Sequence, residues 1–254
     1  MREHGRMRAK ICLVTGGASG IGLATALRMA SDGAEAVVIA GRREAQGEAA
    51  AEACRRIGAK SLFLQTDVTH EDEVARLVEK TLTTYGRLDV AFDNAGYQER
   101  RAPIEEQTDA VYAQVFDTNV RAVFFCLRHQ IPAMLRSGGG AIVINASVSG
   151  IRNPNPGFSL YNASKAAVIA MMRTAALENA PRGIRINAVA PGRVITDMML
   201  SAGVGDIATV AAGLPLKRMG TPEELAEAVV WLASDAASYV VGHVLAADGG
   251  FLAS

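Results

Sequence analysis

The sequence alternates short, β-branched apolar runs with longer segments of helical periodicity along almost its whole length. Strands that read as unbroken apolar runs are typical of a parallel sheet that is buried on both faces. We therefore predict strands over 11–14, 36–40, 61–65, 90–92, 141–145, 185–189 and 244–246. Because crossovers between parallel strands are right-handed, this alternation predicts an α/β Rossmann-type fold, with a doubly wound seven-stranded parallel sheet that binds ligands at the carboxyl ends of its strands.

Capping residues mark the starts of two predicted helices. Thr69 is a candidate N-cap for an amphipathic helix that ends before Gly86. Thr221 is followed by Pro222 at the first helical position and Glu224 at the third, which predicts a capping box. Two longer helices are predicted around 111–135 and 159–180.

Length and charge restrict the classes of protein that the chain fits. Its 254 residues are within the size of one α/β domain, and no linker or repeat divides them, so we predict a single domain over 1–254. Lys plus Arg and Asp plus Glu number 26 each, which disfavours nucleic acid or an acidic membrane as a partner. Residues 1–9 are expected to form a flexible tail.

The cysteines and apolar stretches indicate the compartment. Cys12, Cys54 and Cys126 are far apart, form no CxxC pair and lie near no histidine cluster, so we predict no metal site and a reducing environment. The sequence contains neither a signal peptide nor an apolar stretch of about eighteen residues, so no membrane association is predicted. We expect a cytoplasmic protein.

A glycine-rich turn joins the first predicted strand directly to a helical pattern. Such a turn directs free backbone N–H groups and the positive end of a helix at a pyrophosphate, and glycine lets the phosphates approach closely. The residues predicted to bind a dinucleotide here are Gly16, Ser19, Gly20, Ile21 and Gly22. A purely structural glycine turn is the alternative.

The second predicted strand runs into Arg42 and Arg43 and lacks an acid that would bind the ribose hydroxyls of NAD. A guanidinium binds a 2′-phosphate through charge-assisted hydrogen bonds, which favours NADP(H) as the cofactor and leaves NAD(H) possible. The alternative is a solvated helix entry whose charge Glu44 neutralises. Asp67, at the end of the third strand, either accepts from the adenine amine or is a simple loop acid.

Tyr161 and Lys165 lie four residues apart and therefore on one face of a predicted helix. A phenol acts as acid or base near neutrality only if its pKa falls from about 10, and a neighbouring ammonium favours that direction. The preceding strand ends near Ser147, which delivers a hydroxyl to the same edge of the sheet. By itself, a Tyr–Lys pair at this spacing is also common as surface packing.

In combination and in this order, the motifs resemble those of the short-chain dehydrogenase/reductase family, from about residue 10 to residue 250. The matching pieces are the turn at 15–22, Asp67-Val68, Asn94-Ala95-Gly96, Thr118-Asn119-Val120, Ser147, Tyr161 with Lys165, Pro191-Gly192 with Thr196, and Asp248-Gly249-Gly250. The resemblance implies reversible hydride transfer between a nicotinamide cofactor and a ketone or secondary alcohol.

The resemblance also implies roles for four catalytic residues. Tyr161 would give a proton to the carbonyl oxygen, and Ser147 would hydrogen-bond that oxygen and stabilise its charge. Lys165 would hold the nicotinamide ribose and lower the pKa of Tyr161. Asn119 would keep a water in a proton relay to Lys165. The other role for Asn119 is a buried asparagine that satisfies nearby backbone groups, and the two roles are compatible.

The resemblance extends the cofactor site beyond the glycine turn and the two arginines. The additional residues are Asp67, Val68, Asn94, Ala95, Gly96, Pro191, Gly192, Val194 and Thr196, together with Tyr161 and Lys165. The chain departs from the family pattern at Asp93, where an asparagine is usual, and by one extra residue between Ser147 and Tyr161, assigned to the loop 153–157. Ser149 is a weaker rival for the role of Ser147.

The substrate pocket is expected after the fourth strand, before Tyr161 and after Thr196. The residues predicted to contact the substrate are Tyr97, Ser149, Phe158 and Met198. Residues 197–216 would form a lid with hinges at Gly203 and Gly205. Their mostly apolar character suggests a hydrophobic or aromatic ketone. Arg152 and Arg193 are either carboxylate ligands or merely solvated.

Three functions remain open at this level. The favoured one is an NADP(H)-dependent carbonyl reductase that acts on a small molecule and assembles as a homotetramer through its two long helices. The second is an NAD-linked alcohol dehydrogenase that works in the oxidising direction. The third is a non-catalytic dinucleotide-binding regulator, because a fold does not determine a function. Epimerase and enoyl-reductase relatives are disfavoured by the glycine spacing and the short Tyr–Lys interval.

Overall fold

The computed structural model describes residues 5–152, 156–201 and 206–254. Within these ranges the chain forms one seven-stranded sheet of order β3-β2-β1-β4-β5-β6-β7, in which every neighbouring pair is parallel. The strands are β1 Ile11–Thr15, β2 Ala36–Gly41, β3 Lys60–Gln65, β4 Val90–Asp93, β5 Gly140–Asn145, β6 Ile184–Pro191 and β7 Val244–Ala247. The predicted doubly wound α/β fold and the positions of its strands are confirmed.

Apolar side chains on both faces of the sheet account for its burial. In β1, Cys12 and Val14 belong to the core on one face, whereas Leu13 belongs to the core on the other. All five residues of β1 and the first five of β2 are buried. Because successive side chains of a strand point to opposite faces, a continuous apolar run requires helices on both sides.

Helices cover both faces of the sheet. They are α1 Gly20–Ser31, α2 Glu44–Ile57, α3 Glu71–Tyr85, α4 Asp109–Phe116, α5 Ala122–Arg136, α6 Ser159–Asn179, α7 Asp197–Ser201, α8 Ile207–Gly213 and α9 Pro222–Ala233. Helices α1, α2 and α9 pack on one face, and α3, α5 and α6 on the other. Among the described residues, none of these helices is long and apolar enough to cross a membrane.

Capping at two helix starts can be compared with the sequence. Thr221 and Glu224 form the predicted capping box at the start of α9. The prediction of Thr69 as the N-cap of α3 is wrong, because that helix begins one residue later, with His70 as its N-cap. The Thr69 hydroxyl instead donates to Asp67 Oδ1 at 2.7 Å, since the loop acid competes for it.

Residues 5–9 were expected to belong to a flexible tail, and the structure corrects this. Met7 is fully buried in the core beside α1, and its N–H donates to the carbonyl of Asp32 at 3.0 Å. Arg6 forms an ion pair with Asp32 at 2.7 Å. A buried methionine and two bonds to the end of α1 hold this segment against the domain. Residues 1–4 of the proposed tail lie outside the described ranges.

The order of the strands places a crevice between β1 and β4. From β1 the chain proceeds outward through β2 and β3, then returns to the other side of β1 and continues through β4 to β7. The loops after β1 and β4 therefore diverge to opposite faces of the sheet. Ligands of open α/β sheets bind at such a switch point, outside the carboxyl ends of the strands.

The long helix predicted around 111–135 is interrupted by a wide turn. Residues Asp117–Arg121 form a π-helical turn between α4 and α5, and Asn119 lies buried within it. Single π turns inside longer helices are frequent at functional sites, because the extra residue reorients a side chain. The turn directs Asn119 toward the loop after β4, as its hydrogen bonds to Tyr97 show.

Asp93, the departure from the family pattern at the end of β4, is a buried acid. Its Oδ1 accepts from the Gln130 amide at 2.8 Å. Burial raises the pKa of Asp93 to about 7, although hydrogen bonds from Gln130 and Cys126 act in the opposite direction. Since the folded state binds this proton more tightly than the unfolded chain, the Asp93 contribution to stability declines as pH rises from about 4 to about 7.

We expect Asp93→Asn to raise the free energy of unfolding at pH 8 by about 2 to 4 kcal/mol and to leave it nearly unchanged at pH 4. An amide keeps the acceptor for Gln130 and removes the charge that burial disfavours. Urea denaturation at the two pH values measures the difference. Asp235→Asn is the control, because that side chain is 87% exposed. A variant less stable than the wild type at pH 8 would contradict the expectation.

Candidate active site

The crevice at the switch point is a cleft of about 620 Å³. The loops after β1, β2, β3, β4, β5 and β6 all contribute to its walls. Of the predicted site residues, those that line it are Gly16, Ser19, Gly20, Ile21, Arg42, Arg43, Asp67, Val68, Asn94, Ala95, Gly96, Tyr97, Ser147, Ser149, Tyr161, Pro191, Gly192, Val194, Thr196 and Met198. The cleft is therefore the place where most of the sequence motifs meet.

The glycine turn at one end of the cleft needs its glycines for two reasons. Gly16 and Gly20 have φ values of +63° and +53°, which side-chain-bearing residues rarely adopt. A Cβ on Gly22 would lie 2.2 Å from the Gly16 carbonyl oxygen and 2.5 Å from Asn94 Nδ2. The first requirement is conformational and the second is close packing between the turn and α1. Gly22 itself lies beneath the cleft surface.

Asn94 joins the glycine turn to the strands on either side. Its Nδ2 donates to the carbonyls of Thr15 and Gly16, both at 3.1 Å. Its Oδ1 accepts from Asn145 Nδ2 at 2.9 Å. Both polar groups of the Asn94 side chain are thus hydrogen-bonded within the protein. Its predicted role in cofactor binding would be to shape the cleft wall, together with Ala95 and Gly96.

Arg42 and Arg43 lie exposed in the cleft wall where β2 ends. Arg43 donates to the Ser19 hydroxyl at 2.8 Å, which ties the end of β2 to the glycine turn. The Arg42 guanidinium forms no hydrogen bond or ion pair with the part of the chain that is described, although its charge acts on Asp67. Arg42 is therefore available to an anionic ligand at this end.

Of the two interpretations that the sequence left open for Asp67, the loop acid is observed and the adenine contact stays a prediction. Its Oδ1 accepts from the Thr69 N–H at 3.0 Å and from the Thr69 hydroxyl, as a loop-forming acid would. Burial raises its pKa, but the Thr69 hydrogen bonds and the charge of Arg42 outweigh burial, so that the pKa of Asp67 lies below its ordinary value. Its carboxylate lines the cleft in the charged form.

Tyr161 and Ser147 meet at the opposite end of the cleft. Ser147 follows β5 and Tyr161 lies in the first turn of α6, and the Ser147 hydroxyl is close enough to the phenol to lower its pKa. Ser147 Oγ also accepts from the N–H of Ser149 at 3.1 Å, which orients it. Two hydroxyl groups this close together can both reach the same oxygen atom of a ligand.

Lys165 lies behind Tyr161, away from the cleft surface. Only 4% of its surface is exposed, its Nζ lies 5.6 Å from the centroid of the Tyr161 ring, and it donates to the Asn145 carbonyl at 2.7 Å. Burial lowers the pKa of Lys165 to about 8. At neutral pH the ammonium is thus still mostly charged and is held against the tyrosine ring.

The pKa of Tyr161 departs from its ordinary value in the direction opposite to the one expected from the sequence. Burial raises it and so does the negative charge of Glu99, whereas the hydrogen bond from Ser147 and the charge of Arg193 lower it less strongly. Lys165 was expected to lower this pKa, but its ammonium lies over the ring and donates to a backbone carbonyl. The Tyr161 phenol of the protein chain is consequently protonated at neutral pH.

Asn119 fastens the loop after β4 to α6. Its Oδ1 accepts from the N–H of Tyr97 at 2.7 Å, and its Nδ2 donates to the Tyr97 carbonyl and to Ser164 Oγ. A Cβ on Gly96 would lie 3.4 Å from Asn119 Oδ1 and 3.7 Å from Lys165 Nζ, so the polar ends of the asparagine and the lysine both lie beside Gly96. The backbone-satisfying role is observed, and the water relay stays a prediction.

Glu99 is a site residue that sequence reasoning missed. It is fully buried, and its Oε1 accepts from the N–H of Tyr161 at 3.0 Å, so it stabilises the first turn of α6 as a charged cap. The contact spans 62 positions of sequence. Nothing in the sequence distinguishes Glu99 from the exposed Glu105 and Glu106 that follow it.

The substrate end of the cleft differs in two respects from the prediction. Phe158 was expected to contact the substrate, but it is buried beneath the start of α6 and is absent from the cleft wall. Phe251, near the C-terminus, lines the cleft and was not predicted. The helical segment α7 supplies Met198 and Met199. The predicted hinges Gly203 and Gly205 and residues 153–155 of the loop lie outside the described ranges.

Comparison with known proteins gives matches over nearly the whole chain. A family model described as enoyl-(acyl carrier protein) reductase matches residues 16–252. The chain is 38% identical to a short chain dehydrogenase/reductase of Aspergillus oryzae, over 96% of this chain and 95% of that protein. It is 43% identical to the cis-4-hydroxycyclohexanecarboxylate dehydrogenase of Sinomonas cyclohexanicum, over 96% and 97%. It resembles the crystal structure of levodione reductase with a TM-score of 0.93 and 36% identity, over 98% and 99%.

Proposed function

The chain belongs to the short-chain dehydrogenase/reductase family, and within it we propose an NADP(H)-dependent carbonyl reductase that converts a ketone reversibly into a secondary alcohol. Membership makes the protein an oxidoreductase that acts on CH–OH or C=O groups of a small molecule with a nicotinamide dinucleotide. The observation that carries the finer proposal is the placement of Tyr161 and Ser147 together in the wall of a cleft that begins at a glycine turn, with the serine close enough to lower the pKa of the phenol.

The residues of the cleft fit a dinucleotide. The turn at Gly16 to Gly22 offers backbone N–H groups at the start of α1, and the close approach at Gly22 keeps this turn packed down, out of the way of a pyrophosphate. Arg42 would hold a 2′-phosphate, Asp67 and Val68 the adenine, and Val194 with Thr196 the nicotinamide amide. When bound, the nicotinamide supplies or accepts a hydride at the carbon of the substrate.

The protein side of the reaction is proton transfer at the substrate oxygen. Tyr161 gives its phenolic proton to the carbonyl oxygen in reduction, and Ser147 donates a hydrogen bond to that same oxygen. Because burial raises the pKa of Tyr161, the phenol is protonated at neutral pH and ready to act as an acid. Lys165 fixes the tyrosine ring from behind and, through Asn145, is fixed in turn to the end of β5.

The raised pKa of Tyr161 predicts how each direction of the reaction depends on pH. Alcohol oxidation requires the phenolate as the base, and desolvation disfavours that form in this site. The oxidising NAD-linked dehydrogenase is the second candidate, and its rate should rise with pH as the phenolate forms. A panel of ketones and secondary alcohols, followed by the absorbance of the reduced cofactor at several pH values, tests the proposal. Turnover of enoyl thioesters without turnover of any ketone would overturn it.

Cofactor choice rests on Arg42, whose guanidinium has no partner among the described residues. We expect Arg42→Asp to shift the ratio of kcat/KM for NADPH and NADH toward NADH by about 100-fold, because the variant loses charge-assisted hydrogen bonds and gains a repulsion. Steady-state kinetics with both cofactors measure the ratio. Arg56→Asp is the control, since Arg56 lies at the far end of α2 and pairs with Glu52. An unchanged ratio in Arg42→Asp would remove the 2′-phosphate role.

Assembly and location follow the same family. We expect a homotetramer in the cytoplasm, paired through the long helices. Exposed apolar side chains on these helices support the pairing, among them Tyr112 and Phe124 on α4 and α5 and Leu177 on α6, the last 72% exposed. A lid over 197–216 stays part of the proposal, with Met199 and Leu214 packed together on the described parts of that segment.

A further inference from the structure

Arg193 lines the cleft near Tyr161, and no described residue pairs with its charge. It follows Gly192 in the loop after β6, is partly buried, and lines the same cleft as Tyr161 and Ser147. Its guanidinium makes neither a hydrogen bond nor an ion pair with any residue that the structure describes. Burial lowers the pKa of Arg193, which records the loss of water around the cation.

Other partly buried arginines of the described chain are supplied with acceptors. Arg185 donates to four backbone carbonyls between 2.8 and 3.2 Å. Arg87 pairs with Asp89 at 2.8 Å. A partly buried cation without an acceptor has lost part of its hydration and has gained no hydrogen bond in exchange. An anion that enters the cleft beside Arg193 would supply the hydrogen-bond acceptors that its guanidinium lacks.

The position of this cation relative to the reacting groups indicates which ligand it meets. The charge of Arg193 acts directly on the Tyr161 phenol and lowers its pKa, so the guanidinium is within electrostatic reach of the atom that transfers the proton. The glycine turn that would hold the cofactor phosphates is at the start of α1, and Arg42 is at the adenosine end. Arg193 therefore faces the substrate part of the cleft.

Resting on the proposed function, we propose that Arg193 binds a carboxylate of the substrate, so that the enzyme acts on oxo acids and their hydroxy acids. The guanidinium holds the carboxylate by charge-assisted hydrogen bonds while Tyr161 and Ser147 hold the reacting oxygen. Met198, Met199 and Phe251 provide an apolar wall for the carbon skeleton between the two ends. Recognition at two points orients the carbonyl toward Tyr161.

Arg152 is the matched control within the chain. It is exposed, donates to the carbonyl of Ser254 and lies 5.2 Å from the centroid of the Phe251 ring. Unlike Arg193 it is not part of the cleft wall and does not contribute to the pKa of Tyr161. A general effect of removing one positive charge from this region would appear in both variants, whereas carboxylate binding is expected in Arg193 alone.

Binding of unreactive probes tests the inference without turnover. On protein saturated with NADP⁺, calorimetric titration compares hexanoate with hexanamide, which has the same length and no charge. We expect the wild type and Arg152→Gln to bind hexanoate at least about tenfold more tightly than hexanamide, Arg193→Gln to lose this difference, and Arg193→Lys to keep part of it. A wild type with no preference for the acid, including one that binds neither probe, overturns the proposal.

Kinetics with 5-oxohexanoate and its methyl ester provide the second arm. Arg193→Gln should raise KM for the acid about tenfold or more and leave KM for the ester within about twofold. If Arg193→Gln instead weakens NADP⁺ binding and leaves the preference for the acid unchanged, the cation serves the cofactor and the inference is wrong. Absence of turnover with every ketone, together with a retained binding preference for hexanoate, would refute the proposed reaction and not the role of Arg193.

Discussion

Replacement of Tyr161 by phenylalanine is expected to lower kcat about 1,000-fold or more while the dissociation constant for NADPH changes little. The variant keeps the aromatic ring that Lys165 packs against and removes only the hydroxyl whose pKa Ser147 lowers. A correctly placed general acid contributes about 10²- to 10⁴-fold to such a reaction. Because the hydroxyl is the only group removed, kcat should fall and the free energy of unfolding should change little.

Two measurements make this expectation decisive. Steady-state turnover with a ketone that the wild type reduces gives kcat, and fluorescence titration gives the affinity for NADPH. Tyr239→Phe is the matched control, because Tyr239 is fully exposed and lies outside the cleft wall. Full turnover by Tyr161→Phe would end the proposed mechanism. Loss of NADPH binding in parallel with kcat would mean that the tyrosine serves the cofactor rather than the proton transfer.

The second large effect is expected from Gly22→Ala. The new methyl group would lie 2.2 Å from the Gly16 carbonyl oxygen and 2.5 Å from Asn94 Nδ2, and the first of these belongs to the backbone. The collision can be relieved only if the glycine turn moves away from α1 or Asn94 gives up its bonds to Thr15 and Gly16. We expect the free energy of unfolding to fall by about 3 kcal/mol and NADPH affinity to fall at least about tenfold.

Chemical denaturation and cofactor titration check this result. Gly213→Ala is the control, because a Cβ there meets nothing within 4 Å and the residue ends helix α8. That substitution should leave stability unchanged or raise it by up to about 1 kcal/mol. Wild-type affinity for NADPH in Gly22→Ala would show that the packing of this turn does not govern cofactor binding.

The sequence predicted the structure correctly wherever a residue pattern depends on local geometry alone. The apolar runs predicted all seven strands of the described sheet, since a strand buried on both faces has no polar alternation. The capping box at Thr221 was predicted because its partners are three residues apart. The Tyr161 and Lys165 spacing placed both side chains on one face of α6, where the structure has them.

Predictions failed where a group outside the pattern, near or distant in the sequence, competed with it. Thr69 bonds to Asp67 and leaves the cap of α3 to His70. Residues 5–9 looked like a polar tail, but Met7 enters a core made by α1 and α9. The pKa of Tyr161 was judged from its neighbour on the helix, whereas burial by the surrounding fold and the charge of Glu99 determine its direction.

By itself, the sequence determined the strands of the sheet and which motifs would meet at its carboxyl edge, because side-chain periodicity is a local property. The strand order, and with it the switch point between β1 and β4, came from the structure. Only the tertiary structure decided the electrostatics of the cleft. Glu99 reaches Tyr161 across 62 positions, and Arg193 forms no ion pair with any residue of the described chain. Solvent exclusion and electrostatic interactions depend on distances in three dimensions, and the spacing of residues along the sequence does not give those distances.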